Sequence, residues 1–332
     1  MTLSDILLGL LVMLVRMGVV LAVVFGLAAY MILLERKLLG RLQVRYGPNR
    51  VGLFGLLQPI ADGLKMLLKE DIIPDGVDRR IFLVAPAIVA GAALFAFAVV
   101  PFGPTFTLFG RAIPQVIADT DVGLLVIFGL SSLAVYGVTL GGWTSDNKYS
   151  LLGGIRAAAQ MISYELSLGL SLVPVVMASH SLNLTAIVDA QASLPFALTQ
   201  PLAFAIFLIS ALAETNRIPF DLPEAENELQ AGYHTEYSGM RFALFFVGEY
   251  VNMVLLGAIT AVFFLGGWHG PLLPPICWLA IKVLAVPVFL IWTRASLPRL
   301  RYDQLMAVGW KCLVPLALAN ILVTGAVLVA GS

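Results

Sequence analysis

The sequence predicts an all-α polytopic membrane protein with eight transmembrane helices, and three observations carry that reading. Hydrophobic residues make up 60% of the 332 and charged residues 12%, about half the charged share of soluble domains. Eight apolar runs are each long enough to cross about 30 Å of hydrocarbon. Lysine and arginine collect in alternate connections between those runs, as they do on the cytoplasmic side of membrane proteins.

The runs fall at 6–34, 81–100, 122–141, 155–177, 196–213, 241–265, 276–293 and 310–330. The first covers roughly 43 Å at helical rise, so it should tilt steeply or project from the bilayer. It lacks a basic lead-in and a small-residue cleavage site, so it is expected to be retained. Pro174 and Pro287 fall inside their spans and should kink them. No internal repeat and no soluble domain interrupts the series, so residues 1–332 read as a single membrane domain.

The connection from Glu35 to Arg80 carries nine cations, Arg36, Lys37, Arg41, Arg45, Arg50, Lys65, Lys69, Arg79 and Arg80. That around Arg294 to Lys311 carries four more. Opposite connections hold Arg111 and no other cation. The basic connection and the acidic loop at 214–240 are therefore placed in the cytoplasm, with both termini periplasmic. Between Val51 and Glu70 the polar residues Gln58, Asp62, Lys65 and Lys69 recur at helical spacing in an otherwise apolar run. This reads as an amphipathic helix at about 51–70 lying along the cytoplasmic surface. Its polar stripe is either an anchor of snorkelling lysines or, through Asp62, a hydrogen-bonding or proton-bearing site.

Net charge is zero, which implies no nucleic-acid partner. Cys277 and Cys312 have no CxxC spacing and read as small core hydrophobes. His180, His234 and His269 offer no metal pair at helical spacing, so haem and iron–sulfur ligation by this chain are not expected. Gly153-Gly154 and Gly266-Gly267 are span-edge pairs, not nucleotide-binding glycine patterns.

The chemistry concentrates in acids. ETNRIPFDLPEAENELQAGYHTE, from Glu214 to Glu236, holds six carboxylates and one arginine beside an apolar span. Such a cluster costs self-repulsion and desolvation, and beside a bilayer it suits proton or cation handling better than a solvated loop. Pro219 and Pro223 end the fifth helix and make the loop irregular. Irregular backbone at membrane depth is tolerated where protein or a water-filled cavity covers it. A polar, protein-capped chamber there suits a quinone head group, whose carbonyls need donors and whose tail needs a lipid route. Glu165 and Glu249 fall inside spans four and six. Facing lipid they cost several kcal/mol, so both should face the bundle interior, as a proton relay or as interhelical hydrogen-bonding glue. Arg16 and Lys282 read as snorkelling or structural cations.

Five strings in order, ERKLLGRLQVRYGPNRVG (Glu35–Gly52), QPIADGLKMLLKEDIIP (Gln58–Pro74), GGWTSDNKYSLLGGIRAAAQMISYE (Gly141–Glu165), AETNRIPFDLPEAENELQAGYHTEYSGMRFALFFVGEY (Ala213–Tyr250) and RASLPRLRYDQLM (Arg294–Met306), resemble the H subunit of bacterial proton-translocating NADH-quinone oxidoreductase. The similarity covers essentially the whole chain. It implies an inner-membrane subunit of respiratory complex I with no catalytic redox centre and no metal of its own. It also implies a substrate quinone, ubiquinone or another, bound against peripheral-arm subunits that carry the terminal iron–sulfur cluster. FMN and the other clusters belong to partners, and small and antiporter-like membrane subunits lie alongside. By motif, the chamber involves Glu35, Arg36, Arg45, Asp62, Lys65, Glu214, Arg217, Asp221, Glu224, Glu226 and Arg294. The acidic funnel uses Glu165, Glu214, Glu224, Glu226, Glu228 and Glu249. One departure matters: the third span offers only Ser131 and Ser132 where the resemblance implies a glutamate in some relatives, so the inward route is expected to run through water or another subunit. A homologous subunit of a hydrogenase-type complex and a stand-alone cation transporter remain the alternatives from sequence.

Overall fold

The computed structural model describes residues 3–108, 111–223 and 226–331, and the backbone alone of residues 3–8, 107, 108, 111–113, 226 and 227. The chain is helical, apart from one short hairpin, because in hydrocarbon a helix satisfies its own N–H and C=O groups. Thirteen helices run in chain order among the described residues: α1 Leu3–Leu42, α2 Gln58–Leu68, α3 Arg79–Ala96, α4 Gly123–Thr144, α5 Lys148–Ser179, α6 Leu184–Ala190, α7 Phe196–Thr199, α8 Pro201–Glu214, α9 Glu226–Leu229, α10 Gly239–Phe263, α11 Pro275–Ser296, α12 Tyr302–Ala307 and α13 Val314–Gly331. Seven segments are long and apolar enough to span a membrane: six single helices, and α12 to α13 running on through a π-helical turn at Val308–Leu313.

The eighth expected span differs. The run 196–213 is broken into α7 and α8 at Gln200, whose backbone leaves the helical region before Pro201. Pro201 has no N–H to continue α7, and it starts α8 in its favoured N-terminal position. The 14-residue α8 then ends at Glu214, inside the bundle. A second difference concerns the surface helix. Residues 52–55 turn sharply, with Gly52, Phe54 and Gly55 at positive φ, so the helix is the 11-residue α2 rather than 51–70. A Cβ on Gly55 would run into the Pro48 carbonyl, so glycine is required at that turn.

The first helix reaches 40 residues, about 60 Å, longer than the run 6–34 indicates. Helix α5 starts at Lys148, where Asn147 caps it by accepting from the Tyr149 N–H at 2.9 Å. Helices α5 and α11 continue through Pro174 and Pro287. The carbonyl of Val283, left without a helix donor by Pro287 four residues on, sits against Gly257 of α10 where no side chain fits. A hairpin of Phe106–Leu108 with Arg111–Ile113 (β1 and β2), not anticipated from sequence, lies at the end opposite the basic connections.

The main core joins α1, α3, α4, α5, α8, α10 and α11 through residues such as Phe207, Val251, Phe263 and Leu290. A smaller core under the basic end stacks Phe82 on Tyr237 with centroids 4.1 Å apart. Cys277 and Cys312 are on the outer surface. They correct the expectation of core packing: in a bilayer the apolar outside accepts the same residues as the inside. Lys282 donates to the carbonyls of Leu265, Gly267 and His269 at 2.6, 3.0 and 2.6 Å, tying down the chain after α10. Arg16 donates to the Val116 carbonyl. Both cations are structural.

Candidate chamber and acid line

Three other elements converge on Glu35, about two turns from the end of α1. Its side chain is buried. Arg217, in the turn after α8, donates Nη1 to Glu35 Oε1 at 2.8 Å. Arg294, in the last turn of α11, donates to the same oxygen. Tyr250 of α10 donates its hydroxyl to Oε2 at 2.8 Å, and its ring lies 4.8 Å from the Arg217 guanidinium carbon. Burial alone pushes Arg217 down, but Glu35 first, with Tyr250 and Glu249, reverses this and leaves it above its ordinary value. The cation is permanent, and Glu35 is the counter-charge that makes its burial tolerable.

The turn bearing Arg217 is clamped from two sides. Gln160 of α5 points its amide into it, donating to the carbonyls of Ala213 at 2.8 Å and Phe220 at 2.7 Å and to Asn216 Oδ1 at 3.1 Å. Below α11, Arg299 pairs with Asp221 at 3.2 Å, and Leu300 N–H donates to the Pro219 carbonyl at 3.0 Å. Burial pushes the Asp221 carboxyl above its usual range, against the pull of Arg299, Arg294 and Arg217.

One residue after Glu35, the helix turns Arg36 toward α2. There it pairs with Asp62 at 2.7 Å, and Gln58 donates to the other oxygen of Asp62 at 3.0 Å. Asp62 is therefore held in an ion pair on the surface helix, and Lys65 and Arg45 stand exposed. Exposed beside them are Val44, Tyr46, Leu53, Phe54 and Leu68. An apolar cluster of this kind beside a membrane end marks a contact surface.

Deeper in the bundle the acids take their hydrogen bonds from hydroxyls rather than from cations. Ser131 of α4 donates to Glu214 Oε1 at 3.2 Å, and Ser132 contacts Glu165 Oε1 of α5. Tyr233 donates to Glu249 Oε1 of α10 at 2.6 Å. Glu214 and Glu249 line one cavity of about 30 Å³ with Ser131, Asn216, Tyr233 and Asn252, room for about two water molecules. Glu214 Oε2 is buried beside it without a protein partner among the described residues. Glu165 lies outside the cavity wall and is half-buried. A much larger cavity, about 610 Å³, runs along the outer half of α1 against α10 and α11, with Arg16 as its one charged wall residue among the described residues, and is remote from these acids.

The sequence-predicted residues thus divide. Glu35, Arg217 and Arg294 form one knot, Arg36 and Asp62 a second, and Glu214 with Glu249 a third. Glu228 pairs at the surface with Arg156 at 2.7 Å instead of lining the cavity. Glu224 lies outside the described residues, and for Glu226 only the backbone of α9 is described. Sequence reasoning passes over Tyr250, Tyr233, Gln160, Asn252 and Arg299. Tyr250 directly follows Glu249 and Gln160 stands one helical turn and a half before Glu165, so polar residues near a membrane carboxylate are the signal that points to them. Among the described residues no group of three or more His, Cys, Asp or Glu could hold a metal ion.

The NADH dehydrogenase family model matches residues 15–325. NADH-quinone oxidoreductase H-subunit 2 of Syntrophobacter fumaroxidans is 67% identical over 96% of each chain. The NADH-quinone oxidoreductase H-subunit of Syntrophotalea carbinolica is 63% identical over 98% of this chain and 99% of its own. H-subunit 1 of Geobacter metallireducens is 61% identical over 95% of this chain and 96% of its own.

Proposed function

The chain belongs to the H-subunit family of NADH-quinone oxidoreductase, a multi-pass inner-membrane component of bacterial complex I, and from that premise we propose that it forms one wall of the quinone-binding chamber and couples quinone reduction to proton movement. The carrying observation is the line of acids, Glu214, Glu249 and Glu165, lying in the bundle next to the charge knot at Glu35. Electrons stay in partner subunits. A quinone reduced against them takes up two protons, and the acids beneath respond to the change of charge above.

In this reading Arg36 with Asp62, Arg217, Asp221 and Arg294 set the potential at the chamber wall. Arg45 and Lys65 stand at its mouth, and the sequence resemblance assigns Glu224 and Glu226 to the same chamber. The exposed apolar residues Val44, Tyr46, Leu53 and Phe54 are covered by the peripheral-arm subunits that carry the terminal cluster. Glu214, Glu249 and water in their cavity carry protons inward. Glu165, half-open at the bundle surface, hands them toward a neighbouring membrane protein of the complex. Ubiquinone or another quinone is the substrate.

Arg294 gives the direct test, being partly exposed as well as paired. In the assembled complex, Arg294→Gln lowers NADH-dependent quinone reduction while NADH oxidation by an artificial acceptor at the flavin end persists. If both activities fall with loss of assembly, the residue is structural and the chamber assignment fails. The proposed orientation puts the basic and acidic loops in the cytoplasm and both termini in the periplasm. With Cys277 and Cys312 replaced by serine, single cysteines at Arg41 and Glu228 are labelled from the cytoplasmic face. Periplasmic labelling of either overturns it.

A further inference from the structure

Ser132 makes two contacts that one hydroxyl proton cannot serve together. Its Oγ lies 3.0 Å from the Phe128 carbonyl, one turn back on α4, and within hydrogen-bond reach of Glu165 Oε1 on α5. A carbonyl only accepts, and so does an ionised carboxylate. Both contacts are hydrogen bonds when Glu165 carries the proton: Glu165 donates to Ser132, and Ser132 donates to Phe128. When Glu165 is ionised, Ser132 must turn its proton to the carboxylate and leave the carbonyl. That carbonyl remains an acceptor for the backbone N–H of its own helix, so leaving it costs little.

Ser131, the preceding residue, donates to Glu214 Oε1 at 3.2 Å. Helix α4 has no carboxylate of its own, yet successive hydroxyls on it hold an acid from α5 and an acid from α8. Glu165 and Glu214 also act on each other electrostatically. On the other elements packed against α5, Glu228 of α9 is engaged by Arg156, Asp189 of α6 and Lys311 are exposed, His234 in the turn 232–234 is buried among aromatic rings and α13 has no charged residue.

We propose that Ser132 is a positioning residue with a two-position hydroxyl, set by whether Glu165 holds its proton, and that Ser131 holds Glu214 within range of the same event. No covalent bond changes; the proton resides on the carboxyl, and the hydroxyl reverses its donation. The proposal rests on the reading of Glu165 and Glu214 as members of the proton route.

The test uses the assembled complex in proteoliposomes carrying a pH dye, together with redox-induced infrared difference spectra in which Glu165→Gln identifies the Glu165 carboxyl band. Ser132→Ala moves that band to higher frequency, because the protonated carboxyl loses its acceptor. It also lowers coupled quinone reduction and pumping by about tenfold, the scale of one hydrogen bond to a charged group. Ser132→Thr keeps the hydroxyl and restores band and rates. Should Ser132→Ala not assemble, Ser132→Cys, similar in size and a weak donor, carries the same comparison. An unmoved band with full rates in Ser132→Ala, or a Thr variant as impaired as Ala, overturns the switch. Full pumping in Glu165→Gln sinks the relay reading instead, and the Ser132→Ala band then still decides whether the hydroxyl follows the proton.

Discussion

Two sets of carboxylates in this bundle are treated in opposite ways. Glu35 receives two arginines and a tyrosine. Glu214, Glu249 and Glu165 receive hydroxyls, and among the described residues no salt bridge reaches any of the three. A carboxylate shared by two cations holds both guanidinium groups in place, and its partners depend on it. A carboxylate met by a hydroxyl keeps both protonation states available, because the hydroxyl donates to one and accepts from the other. The first arrangement fixes geometry. The second can store and release a proton.

The largest effect is expected at the paired site. Glu35→Gln leaves Arg217 buried without its main counter-charge, and breaking a buried pair by removing one partner costs about 3–5 kcal/mol. The expected outcome is loss of the assembled complex on native gels or a clear fall in its thermal midpoint. A variant that assembles with wild-type stability would show that the knot is not structural.

Next in size are the hydroxyl-held acids, where stability should survive and activity should not. Glu249→Gln and Glu165→Gln keep shape and hydrogen bonding but cannot ionise, so assembly persists. Quinone reduction and pumping then fall together by on the order of 10²-fold, the low end for a positioned proton carrier. Glu249→Asp and Glu165→Asp retain more of each. Normal pumping in both Gln variants, followed with a pH dye, erases the contrast with Glu35.

Glu214→Gln sharpens the comparison. Its Oε1 accepts from Ser131 while its buried Oε2 has no partner among the described residues, so an amide is expected to fit with little change in stability and a fall in coupled activity similar to that of Glu249→Gln. A large stability loss at Glu214 would move it into the class of Glu35. The smallest effect belongs to the surface pair. Glu228→Gln removes an exposed bridge to Arg156, worth about 0–1 kcal/mol, with wild-type thermal midpoint and near-normal turnover expected. A strong coupling defect there would return Glu228 to the proton route.

The sequence by itself determined the membrane fold class, the approximate place of each long helix and which turns of which helices carry acids. These are local matters: hydrocarbon imposes a length and an apolar composition on each span separately, and prolines and glycines punctuate the chain where they stand. Even so, the breaks at Pro201 and at the positive-φ turn of residues 52–55 are invisible to hydropathy, because neither interrupts the apolar run. Only the tertiary structure decided which acids are paired. Glu35 meets Arg217 and Arg294 across 182 and 259 residues, and Ser132 meets Glu165 because α4 and α5 pack together. Helix rotation and crossing set those meetings, through side-chain packing summed over the whole bundle. A carboxylate's hydrogen bonds and ion pairs come from its neighbours, and so its surroundings were set by the fold and not by the local sequence.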